Sequence, residues 1–390
     1  MPVPLYLLAV AIFAMGTSEF MLGGLTPDLA RSLGVSVGTA GLLTTAFALG
    51  MIIGAPTMAA LVRRWNPRTS LLVFLTIFAA AHVIAAWGDH FGLLLAMRLA
   101  SALANAGFLA VALGVAGTLA GPDRAGRAIG VLLAGTTLAT VIGVPAGAAL
   151  GALLDWRATF WAVALLCVPA AIGILAGIPG DTLAGASSEV DLRGELAELR
   201  RPRLRLAMLL GALVNGSTFA TFTYLAPIVT GRSGLGEAWV PGALMIFGIG
   251  SFAGVSIASR VSDHRPLIII LGGGPLLVLA WCAVAVAAGN PPVLFVVLFV
   301  SGALSFAVGS TLIARVLRAA PGAPTMGGAY ATVAFNLGAA AGPAAAGLAF
   351  DAAGALGPVW VSACLTFAAV ALAALARRRL VPYDSERAVS

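Results

Sequence analysis

"PGDTLAGASSEVDLRGELAELRRPRLR", residues 179–205, is the one long polar stretch in an otherwise apolar chain of 390 residues. Six apolar runs precede it, at 4–27, 38–62, 69–87, 91–119, 127–152 and 157–178. Six follow, at 205–229, 238–260, 266–288, 291–317, 324–350 and 355–376. A helix that crosses a ~30 Å hydrocarbon core needs about 20 mostly apolar residues, and these runs meet that length. The expected fold class is an all-α membrane protein of twelve transmembrane helices. Its expected parts are a six-helix bundle over 1–178, a linker over 179–204, a second six-helix bundle over 205–376 and a tail over 377–390. The opening "MPVPLYLLAVAIFAM" lacks a basic n-region and a convincing cleavage site, so it reads as a retained first helix.

Composition points the same way. The chain is 60% hydrophobic and 9% charged, with mean hydropathy +1.03. Soluble domains carry roughly 25% charged residues. All 22 basic residues are arginine. Eighteen of them fall in the loops after even-numbered runs and in the tail, three (Arg31, Arg157, Arg232) follow odd-numbered runs, and Arg98 lies inside a run. The positive-inside rule then places both termini and the linker in the cytoplasm. It also accounts for the high pI without nucleic acid.

The two sets of six runs repeat at an offset of 200 residues. "MGTSEF" at 15–20 aligns with "NGSTFA" at 215–220, Pro27 with Pro227, Gly50 and Gly54 with Gly250 and Gly254, and Ser101 with Ser301. A constant offset over several runs marks a structural repeat. Two halves of equal topology enclosing a central cavity is the plan of parallel-repeat transporters. No GxxxxGK[ST] loop, Ser/His/Asp set or metal cluster appears, so ATP hydrolysis by a phosphate loop and enzyme chemistry are not expected, nor is a cofactor. Cys167, Cys282 and Cys364 sit singly in apolar runs, and His82, His90 and His264 are scattered.

Two charges lie deep, Glu19 in the first run and Arg98 in the fourth. Ionisable residues within a bilayer are costly, about 2.5–3.5 kcal/mol on insertion scales, and face a cavity or a partner. Counted from the outer ends of their runs, both lie roughly 12–13 Å deep at ~1.5 Å per residue. One reading is a fixed Glu19–Arg98 ion pair that sets helix packing. The other is proton coupling, with Glu19 taking and releasing a proton as its exposure and its distance from Arg98 change. Their repeat counterparts are Phe219 and Leu298, so the first half is expected to couple protons and the second to supply apolar surface. Candidate substrate contacts are Asn105, Phe108, Asn215, Phe219, Phe222, Tyr224, Phe306, Tyr330 and Asn336. For the aromatics packing is the alternative, and for the asparagines an interhelical hydrogen bond. A mostly apolar cavity with few polar anchors suits a small, neutral, moderately hydrophobic substrate. "GVPAGAALG" at 143–151 combines a helix-bending proline with small residues, as a mobile interface or a plain kinked packing would.

Four stretches together carry a family resemblance: "GTSEFMLGGLTPDLA", "GLLTTAFALGMIIGAP", "RLASALANAGFLAVALG" and "GVPAGAALGALLDWRATFW". The chain resembles the 12-span drug:proton antiporter branch of the major facilitator superfamily, most of all the chloramphenicol-resistance exporters of GC-rich bacteria. The resemblance implies a monomeric efflux transporter of the plasma membrane that exchanges a small drug for protons. Because other members export sugars or purines, a sugar, nucleobase or broader multidrug exporter is the alternative. It implies proton coupling for Arg98 and Glu19, and a conformational role for Gly143, Pro145 and Gly147 and for Arg64 and Arg68 of "AALVRRWNPR". The chain departs from the family pattern at Ala59 and Arg63, where Gly and Asp are usual, at Ala102, where Gly is common, and at Val144, which separates Gly143 from Pro145.

Overall fold

The computed structural model describes residues 2–61, 65–120, 124–178, 192–261, 265–323 and 326–377. No strand occurs among them. Eleven stretches are long and apolar enough to cross a membrane. The last, Gly327–Leu375, runs through a 3-10 turn at Gly354–Leu356. Gly354 takes a left-handed φ of 74° there, a conformation that costs glycine little, and the turn divides the stretch into two helices. Twelve crossings result.

The first half holds α1 (Val3–Phe20), α2 (Leu22–Leu33), α3 (Val37–Leu61), α4 (Pro67–Trp87), α5 (Phe91–Ala120), α6 (Ala125–Leu138), α7 (Val144–Leu153) and α8 (Trp156–Gly177). A short α9 (Leu192–Ala197) leads to the second half: α10 (Pro202–Phe222), α11 (Leu225–Arg232), α12 (Val240–Val261), α13 (Pro266–Ile268), α14 (Gly274–Ala287), α15 (Pro291–Ala319), α16 (Gly327–Ala353) and α17 (Gly357–Leu375). Helix starts are written in the sequence. Asn66 accepts from the backbone N–H of Arg68 at 2.9 Å ahead of α4, and Asn290 caps α15, with a proline at the first position of each helix. Large apolar side chains also face outward, Val286 at 85% and Leu375 at 87% exposure, as lipid contact requires and water would not tolerate in such number.

The first apolar run is two helices. The break falls at Met21, and α2 runs on to Leu33, beyond the expected end at residue 27. The seventh run breaks at the matching place, Thr223–Tyr224. Two further crossings contain a π-helical turn, Ala139–Gly143 before α7 and Ile269–Gly273 before α14. Each lies two residues before a proline, Pro145 or Pro275. A proline cannot donate to the carbonyl one turn back and its ring crowds that carbonyl, so the widened turn absorbs the mismatch.

Each half has its own buried core, one running from Leu5 to Ile178, the other mainly from Leu206 to Ala373. The halves meet along α3–α16, α2–α11 and the α7 segment against α12. Close backbone approach shapes these seams. A Cβ on Gly248 would fall on the Thr140 carbonyl, and one on Gly24 would reach Ala148. The linker is more structured than a plain connection. Glu195 on α9 accepts from the Met326 backbone N–H at 2.7 Å, placing a carboxylate at the start of α16, where the helix dipole favours it. Residues 179–191 of the expected linker and 378–390 of the tail lie outside the described residues.

Candidate functional site

A small cavity of about 10 Å³, room for about one water molecule, lies between the halves. Phe20 and Thr140 come to it from the first half, and Thr218, Phe219, Phe222, Phe247, Ser251 and Phe306 from the second. The rings form a connected box. Phe20 stacks on Phe219 at 5.4 Å between centroids and meets Phe222 edge-on at 6.1 Å. Phe222 lies 5.2 Å from Phe247, which meets Phe306 at 6.4 Å. Both helix breaks adjoin this box, one just after Phe20 and the other just after Phe222.

Three hydroxyls interrupt the aromatic wall, and each donates into its own helix. Thr140 donates to the Thr137 carbonyl at 2.8 Å, Thr218 to Val214 at 3.0 Å and Ser251 to Phe247 at 2.9 Å. Their hydrogens are spent, and their lone pairs remain. The wall therefore offers aromatic faces and hydrogen-bond acceptors to a ligand, with no formal charge.

Neither Glu19 nor Arg98 lines the cavity, although Glu19 immediately precedes Phe20. Arg98 is buried. Its Nη1 donates to the Ser18 carbonyl at 2.9 Å and to Ser18 Oγ at 3.0 Å, and its Nε to the Leu43 carbonyl at 3.4 Å. The guanidinium lies 4.4 Å over the Phe47 ring. Glu19, half-buried on the next residue of α1, senses the Arg98 charge but makes no ion pair with it within 4.0 Å. The same Ser18 hydroxyl lies 2.7 Å from Nε2 of buried His82 on α4.

Of the sequence candidates, Phe219, Phe222 and Phe306 come together at the cavity. The others stand elsewhere. Phe108 is packed in the first-half core. Asn105 reaches Met51 Sδ at 3.6 Å, leaving its Oδ1 without a partner among the described residues. Asn215 donates to the Phe335 carbonyl at 2.7 Å, joining α10 to α16, and Asn336 donates to Thr332 in its own helix. Tyr224 donates to the carbonyls of Gly38 at 3.2 Å and Pro343 at 3.1 Å, spanning the seam between halves. Tyr330 donates to the Glu195 carbonyl at 2.7 Å and ties the linker to α16.

Gly143 closes the π turn against Thr17, Pro145 follows it, and Thr159 donates to the Gly147 carbonyl at 2.7 Å. Arg68 donates to the Leu175 carbonyl at 2.8 Å, joining α4 to α8, and Arg64 lies outside the described residues. Sequence reasoning passed over Phe20, Thr140, Thr218, Phe247, Ser251, Ser18 and His82. Phe20 and Thr218 lie within the repeated stretches and were legible there. His82 carried a signal too, as an ionisable group inside an apolar run.

The family model of the Major Facilitator Superfamily matches residues 8–334. The chloramphenicol resistance protein of Streptomyces lividans is 59% identical over 96% of this chain and 96% of its own length. The inner membrane transport protein YdhP of Escherichia coli (strain K12) is 32% identical over 90% of this chain and 89% of its own. Among solved structures, the nucleoside transporter NupG superposes with a TM-score of 0.80, covering 97% of this chain and 100% of that one at 13% identity. That likeness concerns the fold alone.

Proposed function

The chain belongs to the Major Facilitator Superfamily of transporters, and from that premise we propose that it exports chloramphenicol or a close chemical relative in exchange for protons. The observation that carries this reading is the aromatic box with its three acceptor hydroxyls. Chloramphenicol is neutral, presents one aromatic ring, and bears two hydroxyls and an amide N–H as donors. A ring among phenylalanines and donors against acceptors satisfy that molecule without burying a charge. A sugar or nucleobase carries more polar groups than this wall can meet, which disfavours the alternative substrates. The resistance named for the Streptomyces relative supports the same choice.

In this reading the protein is a monomer of the plasma membrane without nucleic-acid partners. The arginine-rich end of the bundle is cytoplasmic, and so are both termini. The polar bonds across the halves at the opposite end then close the outer side. They include Arg31 to Glu237 at 3.1 Å and Ser36 to Asp351 at 3.0 Å. The cavity, with about 10 Å³ of free space, is far smaller than ligand pockets, which run from about 300 Å³, so the halves must part to load and release a drug. Gly143, Pro145 and Gly147 lie where that motion would be felt. Glu19 is the proton carrier, and Arg98 is the charge against which its protonation is balanced.

The test is labelled chloramphenicol flux in proteoliposomes under an imposed pH gradient. Protons entering from the acidic side drive drug toward that side, so acid on the outer face accelerates export. Glu19→Gln, fixed in a neutral form, is expected to lose the dependence on the gradient while still exchanging drug down its own gradient. Gradient-driven export by Glu19→Gln at the unsubstituted rate would sink the assignment.

A further inference from the structure

Ser18, His82 and Arg98 form a buried hydrogen-bonded chain across α1, α4 and α5 that the cavity does not use. Elementary chemistry orients it. Arg98 can only donate, so Ser18 Oγ accepts from it at 3.0 Å and has its own hydrogen left to give. His82 Nδ1 is 2.7 Å from the Phe78 carbonyl, which can only accept, so Nδ1 carries a hydrogen. In the neutral imidazole Nε2 is then a bare acceptor, and it receives the Ser18 hydrogen at 2.7 Å. All donors thus point one way, from Arg98 through Ser18 and His82 to the Phe78 carbonyl.

Protonation of His82 would break this order. Nε2–H would face Ser18 Oγ, the hydroxyl hydrogen would lose its acceptor, and a second cation would lie near Arg98 in a buried site. The groups around the imidazole are few. Arg98 on α5 brings a charge, Glu19 adjoins Ser18 on α1, and α8 brings the Phe160 ring at 5.7 Å. Phe47 and the Leu43 carbonyl hold the other sides of the guanidinium, and its Nη2 has no hydrogen-bond partner among the described residues.

The internal repeat separates this chain from ordinary packing. At the offset of 200 residues Ser18 corresponds to Thr218, Glu19 to Phe219, His82 to Cys282 and Arg98 to Leu298. The acid, the histidine and the arginine are replaced together, and Thr218 turns its hydroxyl back into its own helix. His82 therefore goes with the charged pair, not with the scaffold that the halves share.

We propose that His82 is a positioning residue for proton coupling: as a neutral acceptor it orients the Ser18 hydroxyl, which holds Arg98 beside Glu19 but unpaired with it, with Nη2 free to receive the carboxylate when the helices shift. The inference rests on the proton-coupled reading above. His82→Phe keeps a ring between Phe78 and Phe160 and deletes the acceptor, whereas His82→Gln keeps an acceptor for Ser18 and cannot become a cation.

The measurements are pH-gradient-driven chloramphenicol transport as a function of pH, and drug exchange without a pH gradient, in proteoliposomes. For His82→Phe exchange is expected to persist, while the pH of half-maximal driven transport moves by about one unit, the scale of one hydrogen bond to a charged group. His82→Gln is expected to retain the unsubstituted profile. If His82→Phe does not fold, Ser18→Ala severs the same link and is expected to give the same displacement. An unmoved profile in His82→Phe, or in Ser18→Ala, overturns the inference, as does equal impairment of His82→Phe and His82→Gln, which would mark a packing role. Absence of driven transport in the unsubstituted protein would overturn the proton-coupled reading together with this one.

Discussion

At the scale of single residues, side chains of one type do unlike work according to where their helix turns them. Phe219 stacks on Phe20 and meets Phe222 edge-on at the cavity, while Phe108, equally apolar, is sealed in the first-half core. Aromatic pairs contribute roughly 0.5–1.5 kcal/mol beyond their buried area. Phe219→Ala is therefore expected to weaken apparent drug affinity by about tenfold, some 1.4 kcal/mol, while leaving the response to pH intact. Substrate titration of transport with and without a pH gradient separates the two effects, and a changed pH response with normal affinity would refute the cavity role. Asn215 and Tyr330 show the limit of reading polar residues from a sequence. A mid-helix amide or phenol must find a partner, but whether that partner is a ligand or a neighbouring carbonyl depends on atoms far along the chain.

At the scale of helices, the departures from straight α-structure are where the halves and the cavity meet. The break after Phe20 and its counterpart after Phe222 release the chain beside the aromatic box. The π turn before Pro145 contributes Thr140 to the cavity wall and bears directly on α12. At Gly248 the crossing is so close that any side chain would strike the Thr140 carbonyl. Gly248→Val is expected to lower stability by about 1–3 kcal/mol, the usual cost of overpacking, and to hinder closure at this seam. Thermal unfolding in detergent together with transport assays checks this, and an unchanged melting temperature with full transport would contradict the packing described. The proline and glycines of this segment were legible in "GVPAGAALG", but the π turn was not. It is the backbone's accommodation of a missing N–H, and it acquires its neighbour only when the second half docks.

At the scale of the whole molecule, the halves are joined by bonds of unequal worth. Arg31 and Glu237 pair at 3.1 Å with side chains 67% and 59% exposed, and such surface pairs contribute about 0.2–1 kcal/mol. Tyr224 is fully buried and donates to carbonyls on α16 and at the start of α3. Its single hydrogen is shared between two carbonyls that lie within helices, so losing the hydroxyl removes one buried bond, at about 0.5–1.5 kcal/mol. Tyr224→Phe is thus expected to open this end more than Arg31→Ala does, by up to about tenfold against at most about fivefold. Hydrogen–deuterium exchange at the α3–α16 seam would report it, and a larger effect of Arg31→Ala would reverse the ranking.

Length, hydropathy and the offset of 200 residues were enough to give twelve crossings in two like halves and to single out Glu19 and Arg98 as charges inside apolar runs, because water and hydrocarbon sort segments by composition alone. The distribution of arginine between alternate loops is of the same kind. Which face of each helix turns inward is a different matter. These helices are apolar on nearly every side, so no hydrophobic stripe marks the buried face as it does in a soluble bundle. Close packing between small residues decides it instead, and only the assembled halves bring Phe20 to Phe219, Tyr224 to Gly38, and His82 through Ser18 to Arg98.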